Sequence, residues 1–298
     1  MSKIITIVGP NASGKSMLGV EVAKAFNGEI ISADSRQLYR GFDLCSGKIS
    51  SEEANMVPHH MIDIKDIGEP FSVYDFQTTA YLLIDQIHAR GRIPIIAGGT
   101  GLYVRSVVDG YNFHKEAIDN VLREKLEKSS VGELQAMLKH EDKLAMNSSD
   151  LQNKRRLVRR IEKAKHGVHS DKKNIKFDTL QLGTQWPKEM LHERIEERLT
   201  KRLETGMIDE VRIYLESGGD ERHLYTLGLE YRHTLWYLTG KYRSYDEYKL
   251  ELLRKIKQFA KRQMTWFRGI ESIKWIDMRS NYLEQASLYV SDFMAEVG

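Results

Sequence analysis

Cysteine and proline are scarce in this chain, and the scarcity excludes several classes of protein. The 298 residues include five Pro and one Cys, at position 45. A single cysteine allows neither an internal disulfide nor a cysteine-based metal cluster, so we expect a cytoplasmic protein. No run of 18 or more apolar residues occurs, which predicts no membrane-spanning helix. A strand-like apolar run begins by residue 3, so we expect no signal or transit peptide.

The net charge is small but unevenly distributed along the sequence. The chain has 45 Lys and Arg against 42 Asp and Glu, a formal charge of +3. Residues 151–176 hold ten Lys or Arg and two acids, and residues 254–268 hold six Lys or Arg and no acid. The rest of the chain therefore carries −11. Two basic segments on an acidic body suggest a polyanionic partner, although two solvated helix faces would give the same pattern.

Short apolar runs alternate with helix-like stretches in the first hundred residues. Strands are predicted at 4–8, 29–34, 61–64 and 93–97, with a helix over about 72–90. Such alternation predicts an α/β fold, a parallel sheet flanked by helices. Ligands of such sheets bind beyond the carboxyl ends of the strands.

A charged stretch without strand candidates interrupts this pattern. Residues 113–173 read as helices, whereas 177–182 read as a strand that returns to the sheet and 273–276 as a late strand. We therefore predict a discontinuous core of residues 1–112 and 174–298, with a helical insertion domain at 113–173.

Residues 9–16 form a phosphate-binding motif of the pattern G-x-x-x-x-G-K-[ST]. The motif follows an apolar strand and opens a helix, which is the context it requires, so a P-loop NTPase-like sheet is expected. Backbone N–H groups and the helix N-terminus would hold a di- or triphosphate, with Lys15 as a point charge and Ser16 as a Mg²⁺ ligand. The residues predicted to bind this di- or triphosphate are Gly9, Asn11, Ala12, Ser13, Gly14, Lys15 and Ser16.

Two further segments place reactive groups at the same sheet edge. Asp34 ends the second strand, where it could hold Mg²⁺, act as a general base or merely cap a turn. Thr100 lies in a glycine-rich turn, residues 98–103, after another strand. Alone this turn is a weak signal, because glycine pairs often serve only a tight connection.

Taken together, the motifs resemble the tRNA dimethylallyltransferases, also called tRNA isopentenyltransferases. The likeness runs from residue 3 to about 277, and its matching segments are 9–16, 29–39, 57–63, 71–76, 90–95, 98–103 and 261–268. The resemblance implies transfer of a dimethylallyl group from dimethylallyl diphosphate to N6 of adenine 37 in tRNA. By the same analogy the P-loop holds the diphosphate leaving group with Mg²⁺, Asp34 is the general base, and Thr100 contacts the target nucleotide.

The resemblance also implies an arginine for the diphosphate and a set of tRNA contacts. Arg198 is the first choice for the diphosphate and Arg194 the second, although an ordinary Arg–Glu surface pair would explain either. The catalytic set is thus Asp34, Thr100, Lys15 and Arg198. The tRNA-binding set is Asp34, Ser35, Arg36, Gln37, Thr100, Arg155, Arg156, Arg159, Lys261, Arg262, Gln263, Thr265, Trp266 and Arg268.

Helical periodicity over residues 155–164 predicts which side chains face the core and which face solvent. Leu157, Ile161 and Ala164 form an apolar stripe that leaves Arg155, Arg159 and Arg160 pointing outward. The aromatic pair at 266–267 would either stack on an unpaired base or belong to the core.

Three positions depart from the family pattern, and other functions remain open. Asn11, Arg36 and Leu229 stand where threonine, methionine and tyrosine are usual in the family, and these 298 residues contain no zinc-finger motif of the eukaryotic kind. The alternatives are an enzyme acting on free adenine nucleotides, a P-loop kinase for a small molecule, and an inert RNA-binding P-loop protein. The expected partners are dimethylallyl diphosphate and the anticodon stem-loop of tRNA, with a monomer and no membrane association.

Overall fold

The computed structural model describes residues 1–49, 55–113, 120–141, 148–165 and 174–296. Contacts divide the chain into a core unit, residues 1–108 and 176–298, and an insertion unit, residues 109–175. Part of the basic segment expected at 151–176, residues 166–173, lies outside the described residues, as do 114–119 and 142–147 of the expected insertion.

The core unit contains a six-stranded parallel sheet, which confirms the predicted fold class. Its order is β3-β2-β4-β1-β5-β6, with every paired neighbour parallel. Because the carboxyl ends of parallel strands meet at one edge, the loops after β1, β2 and β4 lie together. The strands are β1 (Ser2–Val8), β2 (Gly28–Ser32), β3 (His59–His60), β4 (Ile93–Gly98), β5 (Phe177–Gln185) and β6 (Ile273–Asp277).

The strand expected at residues 61–64 is wrong. The strand that pairs with β2 is His59–His60, opposite Ile30 and Ile31. Met61 and Asp63 have φ values of 63° and 54°, in the left-handed region that ends an extended segment. Met61 is buried in the core even so. Met61 is therefore apolar because it packs in the core at a turn, and not because it belongs to a strand.

Helices cover both faces of the sheet. The first three are α1 (Lys15–Ala25), α2 (Val73–Ala89) and α3 (Gly101–Val108). Leu18 and Val22 of α1 pack with Ile5 on one face, and Phe76 of α2 and Val104 of α3 pack with Ile4 on the other. Side chains on both faces of β1 are buried under helices, which explains why its sequence is a continuous apolar run.

The insertion unit has a small core of its own. Its described helices are α4 (Asn120–Lys128), α5 (Val131–Glu141), α6 (Ser148–Leu151) and α7 (Lys154–Lys165). Leu134, Leu157 and Ile161 are fully buried in it. The buried carboxylate of Glu162 accepts hydrogen bonds of 2.7 and 2.8 Å from Arg123, which compensates for its desolvation.

The rest of the core unit is largely helical. These helices are α8 (Lys188–Glu204), α9 (Met207–Glu216), α10 (Glu221–Leu227), α11 (Leu229–Leu238), α12 (Tyr245–Arg268) and α13 (Tyr282–Ala295). Helices α8 to α12 enclose a core with Phe42, Tyr231 and Tyr248 at its centre. Within the described ranges, no helix combines the length and apolar character needed to cross a membrane.

Candidate active site

The phosphate loop, residues 9–14, connects β1 to α1. Gly14 has φ of 85°, a conformation that favours glycine, and α1 begins at Lys15. A Cβ on Gly9 would lie 2.1 Å from the Thr184 hydroxyl and 2.7 Å from that of Ser13. The Ser13 and Thr184 hydroxyl oxygens are themselves 2.6 Å apart and buried. The loop therefore packs directly against the end of β5.

Two side chains that follow β5 hold the carbonyl groups of the loop. Trp186 Nε1 donates to Ser13 O at 3.0 Å, and Arg194 Nε donates to Ala12 O at 3.0 Å. The Arg194 guanidinium also lies over the Trp186 ring, 4.4 Å from its centroid. The C=O and N–H groups of a trans peptide point in opposite directions. The hydrogen bond from Trp186 to Ser13 O therefore directs the Gly14 N–H away from Trp186. These two hydrogen bonds fix the conformation of the loop.

Lys15 is a buried cation at the base of this loop. Its Nζ lies 3.4 Å from Pro10 O, and the side chain is 8% exposed. Burial lowers the pKa of Lys15 to about 8, the positive charge of Arg198 adds to this, and the Asp34 carboxylate opposes it. Asp34 and Arg198 therefore each lie within electrostatic reach of Lys15.

A cavity of about 1190 Å³ opens in front of the phosphate loop. Basic side chains outnumber acidic ones in its lining, as a diphosphate requires. The lining residues are Ala12, Ser13, Gly14, Lys15, Ser16, Met17, Asp43, Leu44, Gly47, Lys48, Ile49, His59, Ile62, Asp63, Arg194, Glu197, Arg198, Lys201, Arg202 and Thr205.

The two predicted arginines of α8 reach this cavity in different ways. Arg194 donates its Nε to the phosphate loop. Arg198 Nη2 donates to Gly47 O at 2.7 Å, on the opposite wall. Arg198 also lines a small cavity together with Asn11 and Ala12 of the phosphate loop. Both arginines line the larger cavity, Arg194 bonded to the phosphate loop and Arg198 to the opposite wall.

Asp34 and Thr100 come together at the carboxyl edge of β2 and β4. Thr100 N donates to Ala33 O, and Ser35 N donates to Thr100 Oγ1, both at 3.1 Å. A Cβ on Gly98 would lie 2.2 Å from Ala33 O, so only glycine permits this approach. Asp34 Oδ1 accepts a 3.0 Å bond from Arg36 N, which orients the carboxylate. Its Oδ2 accepts none from the described part of the chain.

The next two residues of this segment are tied to the protein. Gln37 is buried, with Oε1 accepting from Ser32 Oγ at 3.1 Å and Nε2 donating to Gly47 O at 3.3 Å. Arg36 Nη1 donates to Thr226 O at 3.2 Å. Its guanidinium occupies the space where a Cβ of Gly228 would stand, 2.5 Å away. The unusual Arg36 therefore fastens the turn that precedes Leu229 to the Asp34 segment.

The end of α12 presents a row of exposed side chains. Lys261, Arg262, Thr265 and Arg268 are exposed, as is Trp266 at 44%. Phe267 is 1% exposed, so of the two aromatics it belongs to the core. A second cavity, of about 500 Å³, lies here and is lined by Arg105, Lys261, Arg262, Thr265, Trp266, Gly269 and Ile270. Arg105 of α3, absent from the sequence-based set, adds a cation.

The basic helix α7 of the insertion unit agrees with its predicted face at most positions. Leu157 and Ile161 are buried, and Arg155 is exposed. Arg156 pairs with Asp150, and Arg159 lies 3.4 Å from Glu162 while remaining 45% exposed. The expectation that Arg160 points outward is wrong. It is half-buried with its Nε shielded from solvent, because the stripe is wider than the three residues that predicted it.

Ser16 is the one predicted metal ligand, and it lines the main cavity at the start of α1. Among the described residues, no group of three or more His, Cys, Asp and Glu side chains could hold a metal ion. A cation that takes most of its ligands from phosphate and water is compatible with this arrangement. Mg²⁺ binds in this way in many phosphate sites.

Sequence reasoning missed the residues that fix the cavity wall at 43–48. Glu210 accepts hydrogen bonds of 2.6 to 2.7 Å from the N–H groups of Asp43, Leu44 and Cys45. Arg202 donates to the Leu44 and Cys45 carbonyls. These partners lie more than 150 residues apart in sequence. No local motif could have indicated them.

Comparison with known proteins identifies the sequence family. The family model described as IPP transferase matches residues 37–270. The tRNA dimethylallyltransferase of Leuconostoc citreum is 38% identical over 278 residues, covering 93% of this chain and 94% of the relative. That of Carboxydothermus hydrogenoformans is 40% identical over 295 residues, covering 95% and 94%.

Solved structures agree with this family. The full-length tRNA isopentenylpyrophosphate transferase of Bacillus halodurans has a TM-score of 0.76 at 34% identity, covering 99% of this chain and 97% of its own. A eukaryotic dimethylallyltransferase acting on tRNA has a TM-score of 0.82 at 24% identity, covering 99% and 79%, which shows the shared fold. The match to the family model and the identity to these relatives show that the chain belongs to the IPP transferase family and is a prenyltransferase.

Proposed function

We propose that this enzyme transfers the dimethylallyl group of dimethylallyl diphosphate to N6 of adenine 37 in tRNA. The products are N6-dimethylallyladenosine and diphosphate. The observation that carries the proposal is the meeting of Lys15, Asp34 and Thr100 at one sheet edge, beside a basic cavity of about 1190 Å³. The names of the relatives support the same acceptor and donor group.

The phosphate loop binds the diphosphate of the donor in this account. The groups at Ala12 to Ser16 line the cavity, and Lys15 and Arg198 supply positive charge within it. Gly9 and Asn11 contribute through the conformation of the loop. Charge on the diphosphate grows as the C–O bond breaks, so these groups stabilise the transition state more than the bound donor.

Mg²⁺ belongs to this proposal as a partner of the diphosphate. Ser16 would give it one protein oxygen, and phosphate and water would give the rest. When bound, the cation neutralises negative charge on the leaving group.

Asp34 is the general base of the proposed reaction. The N6 lone pair forms the new C–N bond while the C–O bond to the diphosphate breaks and its electron pair leaves with the diphosphate. An exocyclic adenine amine is a weak nucleophile, so removal of its proton must accompany attack. Asp34 Oδ2 takes that proton, since Oδ1 is held by Arg36 N. Such a base contributes about 10²–10⁴-fold to the rate.

The acceptor is bound by exposed cations and by the edge that contains Thr100. Adenine 37 is stacked in the anticodon loop, so the enzyme must draw it out to expose N6. The Thr100 hydroxyl and the Asp34 to Gln37 segment flank the place where the base would enter. The proposed RNA contacts are Ser35, Arg36, Arg155, Arg156, Arg159, Lys261, Arg262, Thr265, Trp266 and Arg268. A cytoplasmic monomer completes the proposal.

Three alternatives share the phosphate loop, and one assay separates them from the proposed function, since an inert RNA-binding protein would label neither acceptor. A kinase needs no exposed basic surface, and an enzyme for free adenine nucleotides needs none for a duplex stem. Labelled dimethylallyl diphosphate is incubated with the enzyme and total tRNA or AMP, and ATP consumption is followed in parallel. We expect label in tRNA, none in AMP and no loss of ATP. Formation of ADP in proportion to turnover would support the kinase instead.

A further inference from the structure

We infer that Gln263 is a positioning residue that links helix α12 to the phosphate loop and does not read the RNA. This inference rests on the proposed function, which makes the exposed face of α12 an acceptor-binding surface. Gln263 lies within that stretch of α12, so its position in the sequence predicts an RNA contact. Its surroundings in the fold point to a different role.

The side-chain amide of Gln263 bridges two loops of the active site. Oε1 accepts from Asn11 N, in the phosphate loop, at 3.0 Å. Nε2 donates to Gly99 O, beside Thr100, at 3.0 Å. The residue is 8% exposed, while its neighbour Arg262 is exposed. Both ends of the amide are thus bonded to main chain, and little of the group faces solvent.

The bridged loops follow adjacent parallel strands. Val8 at the end of β1 is paired with Gly98 at the end of β4. Beyond these residues no ladder bond fixes the spacing of the two loops. One loop offers a donor and the other an acceptor, which is the combination that a single primary amide satisfies. Gln263 therefore extends the strand pairing into the active site.

Close packing around Gly99 makes this bridge sensitive to small shifts. A Cβ at Gly99 would lie 2.7 Å from Gln263 Nε2 and 3.5 Å from Lys15 Cε. The amide and the buried cation thus approach the same peptide. A displacement of α12 would move Gln263, and with it the loops that carry Lys15 and Thr100.

The bridge predicts that acceptor and diphosphate binding are coupled. RNA held by Lys261, Arg262 and Trp266 would fix α12, and α12 fixes the phosphate loop through Gln263. Coupling of this kind is reciprocal, so diphosphate must tighten RNA binding by the same factor. We expect a factor of about 5–30, because it depends on two buried hydrogen bonds.

The test compares Gln263→Met, which keeps the length and loses both bonds, with Gln258→Met on the exposed face of the same helix. Binding of inorganic diphosphate is measured without RNA. Binding of an anticodon stem-loop RNA is then measured with and without diphosphate. Gln263→Met should weaken diphosphate about 5–30-fold and bring the coupling factor close to one. Gln258→Met should leave both values at those of the unmodified enzyme.

A second variant tests the same bridge by changing Gly99, which accepts the hydrogen bond from Gln263 Nε2. Gly99→Ala leaves Gln263 intact but pushes a methyl group against its Nε2. Weaker diphosphate binding and a coupling factor near one are expected again, and this variant decides the matter if Gln263→Met does not fold. Thermal unfolding of each variant separates a binding defect from general loss of structure.

Two results would overturn the inference. If Gln263→Met weakens only RNA and leaves diphosphate unchanged, Gln263 is an RNA contact. If neither ligand is affected, it has no role in either site. Diphosphate binding does not depend on transfer of the dimethylallyl group, so it still tests Gln263 if the enzyme catalyses no such transfer. Failure of the proposed function is therefore distinguishable from failure of this inference.

Discussion

The phosphate loop and the exposed end of α12 carry the same kind of charge in opposite surroundings. Lys15 is buried, and its pKa is lowered to about 8 mainly by desolvation. Lys261 and Arg262 are exposed to solvent. A charge in a buried site acts strongly on nearby groups, whereas an exposed charge is screened by water and salt. This difference in surroundings supports the proposal that the first region takes part in the chemistry and the second binds the acceptor.

The same contrast extends to the insertion unit. Arg155 and Arg159 lie on a helix whose buried stripe excludes them. Their removal should leave the fold intact, because Arg123 still donates two hydrogen bonds to the buried Glu162 carboxylate when Arg159 is lost. A change in the phosphate loop, in contrast, disturbs a set of mutually bonded groups. Substitutions of the exposed arginines should therefore affect RNA binding, whereas substitutions in the phosphate loop should affect diphosphate binding and the rate of transfer.

The largest effect is expected at Asp34. Asp34→Asn keeps the shape and the bond from Arg36 N but removes the base, so the chemical step should slow by about 10²–10⁴-fold. Affinity for dimethylallyl diphosphate should change little. Single-turnover rates at saturating RNA measure this, with Asp85→Asn on the exposed face of α2 as the control. A rate within threefold of the unmodified enzyme would remove Asp34 from the role of base.

Loss of the buried cation should follow in size. Lys15→Ala removes a charge from the cavity in which we propose that the diphosphate binds, so affinity for dimethylallyl diphosphate should fall by about 10–100-fold. Transfer should slow as well, because the interaction strengthens as the leaving group departs. Equilibrium binding and single-turnover rates measure the two effects. Unchanged affinity would place the diphosphate elsewhere.

The lowered pKa of Lys15 makes diphosphate binding sensitive to pH. The anion favours the charged amine, so affinity should fall above pH 8, as the free enzyme loses this proton near pH 8. Between pH 7 and pH 9 a single ionisation predicts about a tenfold loss. Lys15→Arg, which stays charged, should lack this fall. Identical pH profiles for the two enzymes would contradict the assignment.

The smallest effects are expected on the exposed arginines. Replacing Arg155 and Arg159 by Ala should weaken the binding of all accepted tRNAs alike. The plot of log K against log salt should flatten by about 0.9 for each phosphate that these arginines neutralise. Dimethylallyl diphosphate affinity should stay unchanged. A control that replaces exposed Lys188 and Lys274 removes equal charge from the core unit. An unchanged slope and affinity would show that this face of α7 is only solvated.

Local sequence patterns were sufficient for the phosphate loop and most of the sheet. The loop is a continuous motif, and β1 is a continuous apolar run because both of its faces are buried. Asp34 and Thr100 each follow a strand, so parallel pairing alone brings them to one edge. These features depend on neighbours in sequence or on the geometry of the sheet.

Interactions across long sequence distances could not be predicted in this way. Gln263 and Asn11 are 252 residues apart, and Trp186 and Ser13 are 173 apart. Each pair is defined by one hydrogen bond whose partners meet only in the folded chain. Met61 shows the converse error, since an apolar residue at a buried turn resembles part of a strand.

The most direct test of the proposed reaction is the fate of the labelled dimethylallyl group. Anticodon stem-loop RNA with adenine at position 37, the same RNA with guanine there, and AMP are each incubated with enzyme and labelled dimethylallyl diphosphate. We expect one label per RNA on N6 of adenine 37, and none on the guanine RNA or AMP. Equal labelling of AMP, or label on the guanine RNA, would contradict the proposed function.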